Sequence, residues 1–235
     1  MNTTFDKAID HHQQLAASWD ARYRSGSFAR RAAFFRERVL QGLAAEGRWL
    51  DAGCGSGYFA RILADAGATV HGVDGASEMV LAARAAASDH PAADRLSFDQ
   101  IETVEALPFA TANFDGLLSL SVLEYVPDPQ KGLAEYARVL RPGGRVVVSI
   151  PYTGSLIRAV AGLRQRLKRQ QGRGAAYLDS SHFTVRRAEI APMLARHGLS
   201  LDAVHPCDPS LRGLLSHLSP NLFFITATRT DKPAG

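Results

Sequence analysis

The chain has 235 residues, of which 46% are hydrophobic and 21% charged, with a formal net charge of +4. That balance suits a globular protein with a sizeable core and excludes a disordered chain, and the length allows one large domain or two small ones. The small basic excess makes no case for binding nucleic acid, and two cysteines, Cys54 and Cys207, make neither a disulfide framework nor a zinc pair. Reduced thiols fit a cytoplasmic protein. Residues 1–10 are polar and lack the basic start and apolar centre of a signal peptide. No stretch approaches the ~20 apolar residues that span a bilayer.

Residues 8–45 carry a helical pattern broken near Ser25-Gly26-Ser27, with Phe28, Ala32, Phe35, Val39 and Leu43 at helical spacing. The character then changes to short apolar runs, ending in Gly or Asp, that alternate with helical patterns. Strands are predicted over 48–51, 68–73, 96–100, 114–120 and 144–150, and helices over 57–66, 77–87 and 129–140, with Ser77 as an N-cap. Arg141-Pro142-Gly143-Gly144 reads as a turn. The near-continuous apolar run of 144–150 suits a parallel strand buried on both faces, and the alternation argues for βαβ units. A basic stretch interrupts the pattern after Pro151. A helix over 187–197, stopped by Gly198, and strands over 199–205 and 221–228 follow, with a loose tail at 231–235.

The sharpest signal is Asp51-Ala52-Gly53-Cys54-Gly55-Ser56-Gly57. Glycines at a strand-to-helix turn let backbone approach a ligand closely. The spacing is G-x-G-x-G, not the G-x-G-x-x-G of dinucleotide sites, because Tyr58 stands where the last step would fall. A carboxylate at Asp51 would repel a pyrophosphate and attract a cation. S-adenosylmethionine has an ammonium and a sulfonium and no phosphate. Asp74 closes the next predicted strand, where a carboxylate accepts both hydroxyls of a ribose.

These residues resemble the class I S-adenosylmethionine-dependent methyltransferases. Residues 49–57 resemble their first motif and Val73-Asp74-Gly75-Ala76-Ser77-Glu78-Met79 their second. Leu107-Pro108-Phe109, Phe114-Asp115 and residues 121–129 resemble their fourth-strand region, and Leu140-Arg141-Pro142-Gly143-Gly144 the turn that follows. Residues 102–105 and 123–130 are similar to the ubiquinone-biosynthesis O-methyltransferase type. That type tends to show Glu-x-x-Glu-His where this chain has Ser121-Val122-Leu123-Glu124-Tyr125, so a metal there would lack ligands and none is expected.

The resemblance implies a Rossmann-like, doubly wound α/β sheet of seven strands, mostly parallel with an antiparallel last strand. The domain plan is a helical cap (1–45), a cofactor core (46–151), a basic insertion or lid (152–185) and a C-terminal helix with strands (186–235). By position, Asp51, Gly53, Cys54, Gly55 and Gly57 would line the methionine end of the cofactor and Asp74 would bind ribose. Gly75, Met79, Thr103 and Val104 would lie at the adenine, with Ser119 and Leu120 beneath the methionine. Tyr23 and Arg31 are candidates to close over it, and equally a packing aromatic and a solvated charge.

Methyl transfer to a phenol or alcohol needs alignment and a positioned base. His182 is the first candidate base, since histidine has the unperturbed pKa for the task; its alternative role is to bridge its loop. Tyr125 is the second. Residues 155–169 place Leu156, Ile157, Val160, Leu163 and Leu167 on one helical face, with five Arg and Lys uninterrupted by acid. Two readings stand for this 155–173 segment: peripheral contact with an anionic membrane, or a solvated helix packed on the domain. The expected function is S-adenosylmethionine-dependent methylation of a small-molecule hydroxyl, phenolic, quinol-like or lipid-linked. N- or C-methylation of a secondary metabolite and a NAD-binding oxidoreductase are the alternatives.

Overall fold

The computed structural model describes residues 4–155, Arg158, 182–207 and 220–230. The expected membrane-facing segment and the tail at 231–235 therefore lie outside the described residues, apart from Ser155 and Arg158.

Seven strands form one sheet in the order β3-β2-β1-β4-β5-β7-β6. They are β1 (Arg48–Ala52), β2 (Thr69–Asp74), β3 (Leu96–Gln100), β4 (Phe114–Leu120), β5 (Leu140–Pro151), β6 (Leu199–Cys207) and β7 (Leu222–Arg229). The pairs β1·β2, β2·β3, β1·β4 and β4·β5 are parallel. Strand β7 runs antiparallel to both β5 and β6. The sequence-based expectation of a mostly parallel sheet with an antiparallel last strand holds. Apolar side chains on both faces explain why the central strands are parallel and covered. Leu50, Leu117, Leu118, Val147 and Val148 are all fully buried.

The α-helices among the described residues are α1 (Thr4–Leu15) and α2 (Gly26–Phe34) before β1, and α3 (Tyr58–Asp65), α4 (Ser77–Ser88), α5 (Pro129–Val139) and α6 (Arg187–Ala195) between strands. The N-terminal helical stretch breaks at Ser25, which is extended, as the Ser-Gly-Ser run predicts. It then continues through a π-helical turn at Phe35–Val39 and a 3₁₀ turn at Leu40–Gly42. Ala32, Phe35, Val39 and Leu43 are buried in the core beside Trp49 and Phe59.

Two local expectations fail. Ser77 is the first residue of α4 and not its cap; Ala76 holds the cap position without a side-chain hydrogen bond. The Arg141–Gly144 segment does not stand apart as a turn. It is an irregular start to β5, which pairs from Leu140 with a register shift between Phe114 and Gly116. Helix α5 shows the capping that α4 lacks, with the Asp128 carboxylate accepting from the Gln130 and Lys131 amides at 3.0 and 3.2 Å. No helix among the described residues is long and apolar enough to cross a membrane.

Strands β1 and β4 are neighbours from which the chain winds outward in opposite directions. A crevice therefore opens at their C-terminal ends, where open α/β sheets bind ligands.

Candidate active site

A cavity of about 240 Å³ occupies that crevice. The ends of β1, β2 and β4 and the loop after β3 form its floor, and α1, α2 and the 3₁₀ turns between them form its roof.

The loop after β1 turns back on β2, with the Gly53 and Cys54 amides donating to the Val73 carbonyl at 2.8 and 2.9 Å. Gly53 and Gly55 take φ of +79° and +53°, and a Cβ on Gly53 would stand 2.2 Å from Val122 Cγ2. Bare backbone thus borders the cavity. Asp74 fastens the loop from the end of β2: its Oδ2 accepts from the Gly55 amide at 2.8 Å and its Oδ1 from the Ala76 amide at 2.9 Å. Burial raises the Asp74 carboxyl above its ordinary range, while those amides and His12 pull it back.

Asp51, the penultimate residue of β1, is 2% exposed. It lines the cavity, and its Oδ2 is buried without a hydrogen-bond partner. Desolvation, reinforced by the charge of Asp74, pushes its carboxyl up to about 8. A buried and a half-buried carboxyl beside a glycine cradle call for a cationic ligand, which would satisfy the orphan oxygen and relieve the repulsion between them. The α-ammonium and sulfonium of S-adenosylmethionine fit that demand, and a pyrophosphate does not. Cys54 lines the same wall, and burial followed by the two carboxylates holds its thiol well above its usual range. It is a packing group and not a nucleophile.

Arg31 projects from α2 into the cavity. Its Nη2 donates to the Ser149 Oγ of β5 at 2.8 Å, and its Nε is buried without a partner. Ser149 Oγ also accepts from the Ser121 amide at 2.9 Å, and Ser121 sits at φ +57°, a conformation unusual for a residue with a side chain. Tyr23 lies against the Tyr58 ring, with centroids 3.9 Å apart and nearly parallel planes. Burial pushes its phenol up to about 12.

Of the residues singled out from the sequence, the cavity wall brings together Tyr23, Arg31, Asp51, Gly53, Cys54, Gly55, Asp74, Gly75, Thr103, Val104, Leu120 and Tyr125. Four others lie off it. Gly57 takes φ +71° at the N-cap of α3, and a Cβ there would meet the Phe98 ring at 2.8 Å, so packing demands the glycine. Met79 is fully buried in a small cluster with Ala16 and Ala76. Ser119 is buried and bonded to the Tyr136 hydroxyl at 2.8 Å. His182 donates through Nε2 to the Val126 carbonyl at 2.8 Å, and its amide donates to the Glu124 carbonyl at 3.0 Å. These bonds staple its loop to the turn after β4, as its bridging role predicts, and the ring is not part of the cavity lining.

His12, Trp19, Arg22 and Phe28 also line the roof, although no motif in the sequence marks them as site residues. The His12 ring lies 5.1 Å from Trp19 and 6.1 Å from Tyr125, and the Arg22 guanidinium stacks on both Trp19 and Phe28. Their one signal is that Ile9 and His12, three residues apart, share a helical face. Among the described residues, no group of three His, Cys, Asp or Glu is placed to hold a metal.

Comparison with known proteins agrees with this geometry. Residues 50–148 match the family model described as a methyltransferase domain. A ubiquinone biosynthesis O-methyltransferase of Xylella fastidiosa (strain 9a5c) is 34% identical over 161 residues, covering 67% of this chain and 62% of that protein. A methyltransferase solved in complex with the Haloferax volcanii Trm112 methyltransferase activator has a TM-score of 0.66 at 21% identity, covering 93% of this chain and 97% of that one. An S-adenosylmethionine-dependent methyltransferase from Mesorhizobium loti has a TM-score of 0.62 at 22% identity, covering 84% of this chain and 98% of that one.

The fold is Rossmann-like, and the family match places a methyltransferase domain on it. Residues 50–148 match that methyltransferase domain. The match spans about three-fifths of the Xylella fastidiosa relative and about a third to two-fifths of others.

Proposed function

We propose that this chain transfers the methyl group of S-adenosylmethionine to a hydroxyl of a small-molecule acceptor that is phenolic, quinol-like or lipid-linked. The observation that carries the cofactor half is the buried, unpartnered Oδ2 of Asp51, facing the cavity beside the glycine loop. The acceptor half is supported by the cavity wall, where Trp19 and Phe28 from the roof and Tyr125 from the turn after β4 offer apolar rings to an aromatic guest. It is supported also by the O-methyltransferase name of the Xylella fastidiosa relative.

When bound, S-adenosylmethionine supplies an electrophilic methyl on a sulfonium. Asp51 would hold the ammonium, and the Gly53–Gly55 backbone would admit the methionine chain. Asp74 would present its carboxylate to the ribose, and Thr103 and Val104 would border the adenine. Arg31, fixed by Ser149, would face the methionine carboxylate, and Tyr23 would close the roof over it. Leu120 and Val122 keep the floor apolar and exclude water from the line of transfer.

Calorimetric titration with S-adenosylmethionine and S-adenosylhomocysteine, on wild type and Asp74→Ala, tests the assignment. Micromolar binding by the wild type, lost in a variant whose circular dichroism and melting remain those of a folded protein, supports it. A folded wild type that binds neither compound, or that binds NAD instead, removes it. Release of S-adenosylhomocysteine with catechol, and none with an amine of the same shape, supports the hydroxyl acceptor.

A further inference from the structure

The roof of the cavity carries two guanidinium groups, and the methyl cofactor accounts for one of them. Arg31, fixed by Ser149, would face the single carboxylate that S-adenosylmethionine has. Arg22 is left over. It is half-buried and lines the cavity, with its guanidinium carbon 4.8 Å from the Trp19 ring centroid and 4.7 Å from that of Phe28. Aromatic faces attract a cation through their quadrupole, but they carry no net charge and do not neutralise it. Among the described residues no carboxylate pairs with Arg22, and no oxygen accepts a hydrogen bond from its guanidinium. The three carboxylates on the cavity wall, Asp51, Asp74 and Glu102, all belong to the floor.

The backbone beneath this cation is set before any ligand arrives. Arg22 sits on the 3₁₀ turn Asp20–Arg24, and its amide donates to the Trp19 carbonyl at 3.1 Å. Asp20, at the head of the turn, accepts from the Ser56 hydroxyl and pairs with Arg61 of α3. Phe28 and Arg31 lie three residues apart on α2 and share a helical face, so the ring against Arg22 also stands on the cavity side. A group held in place on its own side loses little freedom when a ligand docks. A guanidinium offers five N–H donors in one plane and pairs with a carboxylate through two parallel hydrogen bonds. A guest that packs against Trp19 and Phe28 comes within reach of those donors.

We propose that Arg22 is the anion anchor of the acceptor site, so that the methyl acceptor is a phenol carrying a carboxylate. The proposal rests on the methyl-transfer reading of the same cavity and narrows it to acidic acceptors. Arg22 would hold the carboxylate at the roof, and Trp19 and Phe28 would pack the acceptor ring. The phenolic hydroxyl at the other end of the ring would then point away from the roof, toward the floor where the methyl donor lies. A neutral phenol of the same shape would find the rings and lose the anchor.

A matched pair of probes separates a charge anchor from a mere wall. Calorimetry at pH 7 titrates 3,4-dihydroxybenzoate and, separately, catechol into protein saturated with S-adenosylhomocysteine. The two share a ring and its hydroxyls, and the first alone carries a carboxylate. The cofactor product occupies Arg31 with its own carboxylate, which leaves Arg22 for the probe. The wild type is expected to bind the acid roughly tenfold more tightly than catechol, the worth of a hydrogen bond to a charged group. Arg22→Met keeps an unbranched apolar stem against the rings and removes the charge, and it should bind the two probes equally. Arg24→Met, an exposed position on the same turn and off the cavity wall, makes the same change in net charge and should keep the preference. Equal affinities in the wild type, or no binding of the acid, overturn the anchor. So does a preference that survives in Arg22→Met or disappears in Arg24→Met. If the wild type binds no S-adenosylhomocysteine, the methyl-transfer reading falls, and the same two titrations without it still report on Arg22.

Discussion

Asp51 sits in a place built for the charge of a ligand and not for its own. Its ordinary pKa is 3.8, and burial beside Asp74 lifts it to about 8. A carboxyl raised on folding favours the folded state most below its unfolded pKa, and that contribution is lost as pH rises through the folded value. The unliganded protein should therefore melt at progressively lower temperature from pH 5 to pH 9, and Asp51→Asn should flatten that decline. Differential scanning calorimetry across the range checks both. A bound ammonium reverses the balance by favouring the ionised carboxylate, so binding below pH 8 must expel the proton. Affinity for S-adenosylmethionine should rise between pH 5.5 and pH 7.5, by roughly tenfold per unit at most. Asp51→Asn should bind weakly and without that slope. A pH-independent wild-type affinity would show that Asp51 does not meet the ammonium. The sequence made Asp51 and Asp74 legible because both close strands beside glycines. It could not show that Asp74 spends one oxygen on the Gly55 amide, a pairing that exists only once β1 and β2 lie side by side.

Strand boundaries followed the sequence closely because the apolar runs are short, strongly β-forming and bounded by Gly, Pro or Asp. The errors arose where tertiary context governs a local choice. Ser77 has cap chemistry, yet the chain leaves β2 so that Ala76 takes the cap position and its amide is claimed by Asp74. Arg141–Gly144 has turn chemistry, yet β5 begins at Leu140 because the Phe114 end of β4 is there to pair with it. Packing between β1 and β4 supplies a test at this scale. Gly116 pairs with Trp49, and a Cβ on Gly116 would lie 2.2 Å from the buried indole. Its φ falls outside the left-handed region, so the obstacle is space alone. Gly116→Ala should destabilise the protein by roughly 1–3 kcal/mol, as overpacked cores do. Chemical denaturation should show a lower midpoint with the slope unchanged. A midpoint equal to wild type would mean that Trp49 moves aside freely.

The whole molecule closes its site by folding the N-terminal segment over the sheet, and this was the least legible part of the sequence. The glycine loop announces itself through spacing, whereas His12, Trp19 and Arg22 reach the cavity only through long-range anchors. Asp20 bridges Ser56 and Arg61 on α3, Arg31 reaches Ser149 on β5, and Phe34 stacks on Phe224 of β7 with centroids 5.6 Å apart. Those anchors hold the roof in position before any ligand arrives, and a ligand beneath it should tighten roof and floor together. A ligand that binds only the folded state at one hundred times its Kd stabilises it by about 2.7 kcal/mol. For a chain of this size each kcal/mol raises Tm by about 2–4 °C. Saturating S-adenosylhomocysteine should therefore raise Tm by about 5–11 °C. Hydrogen exchange should slow in residues 9–31 as well as in the glycine loop. Trp19→Ala, which removes a roof ring and leaves Asp51 and Asp74 intact, should lose much of the Tm shift and the protection of residues 9–31 while the glycine loop stays protected. If the variant keeps the full shift, the roof does not touch the cofactor, and the acceptor alone lies beneath it.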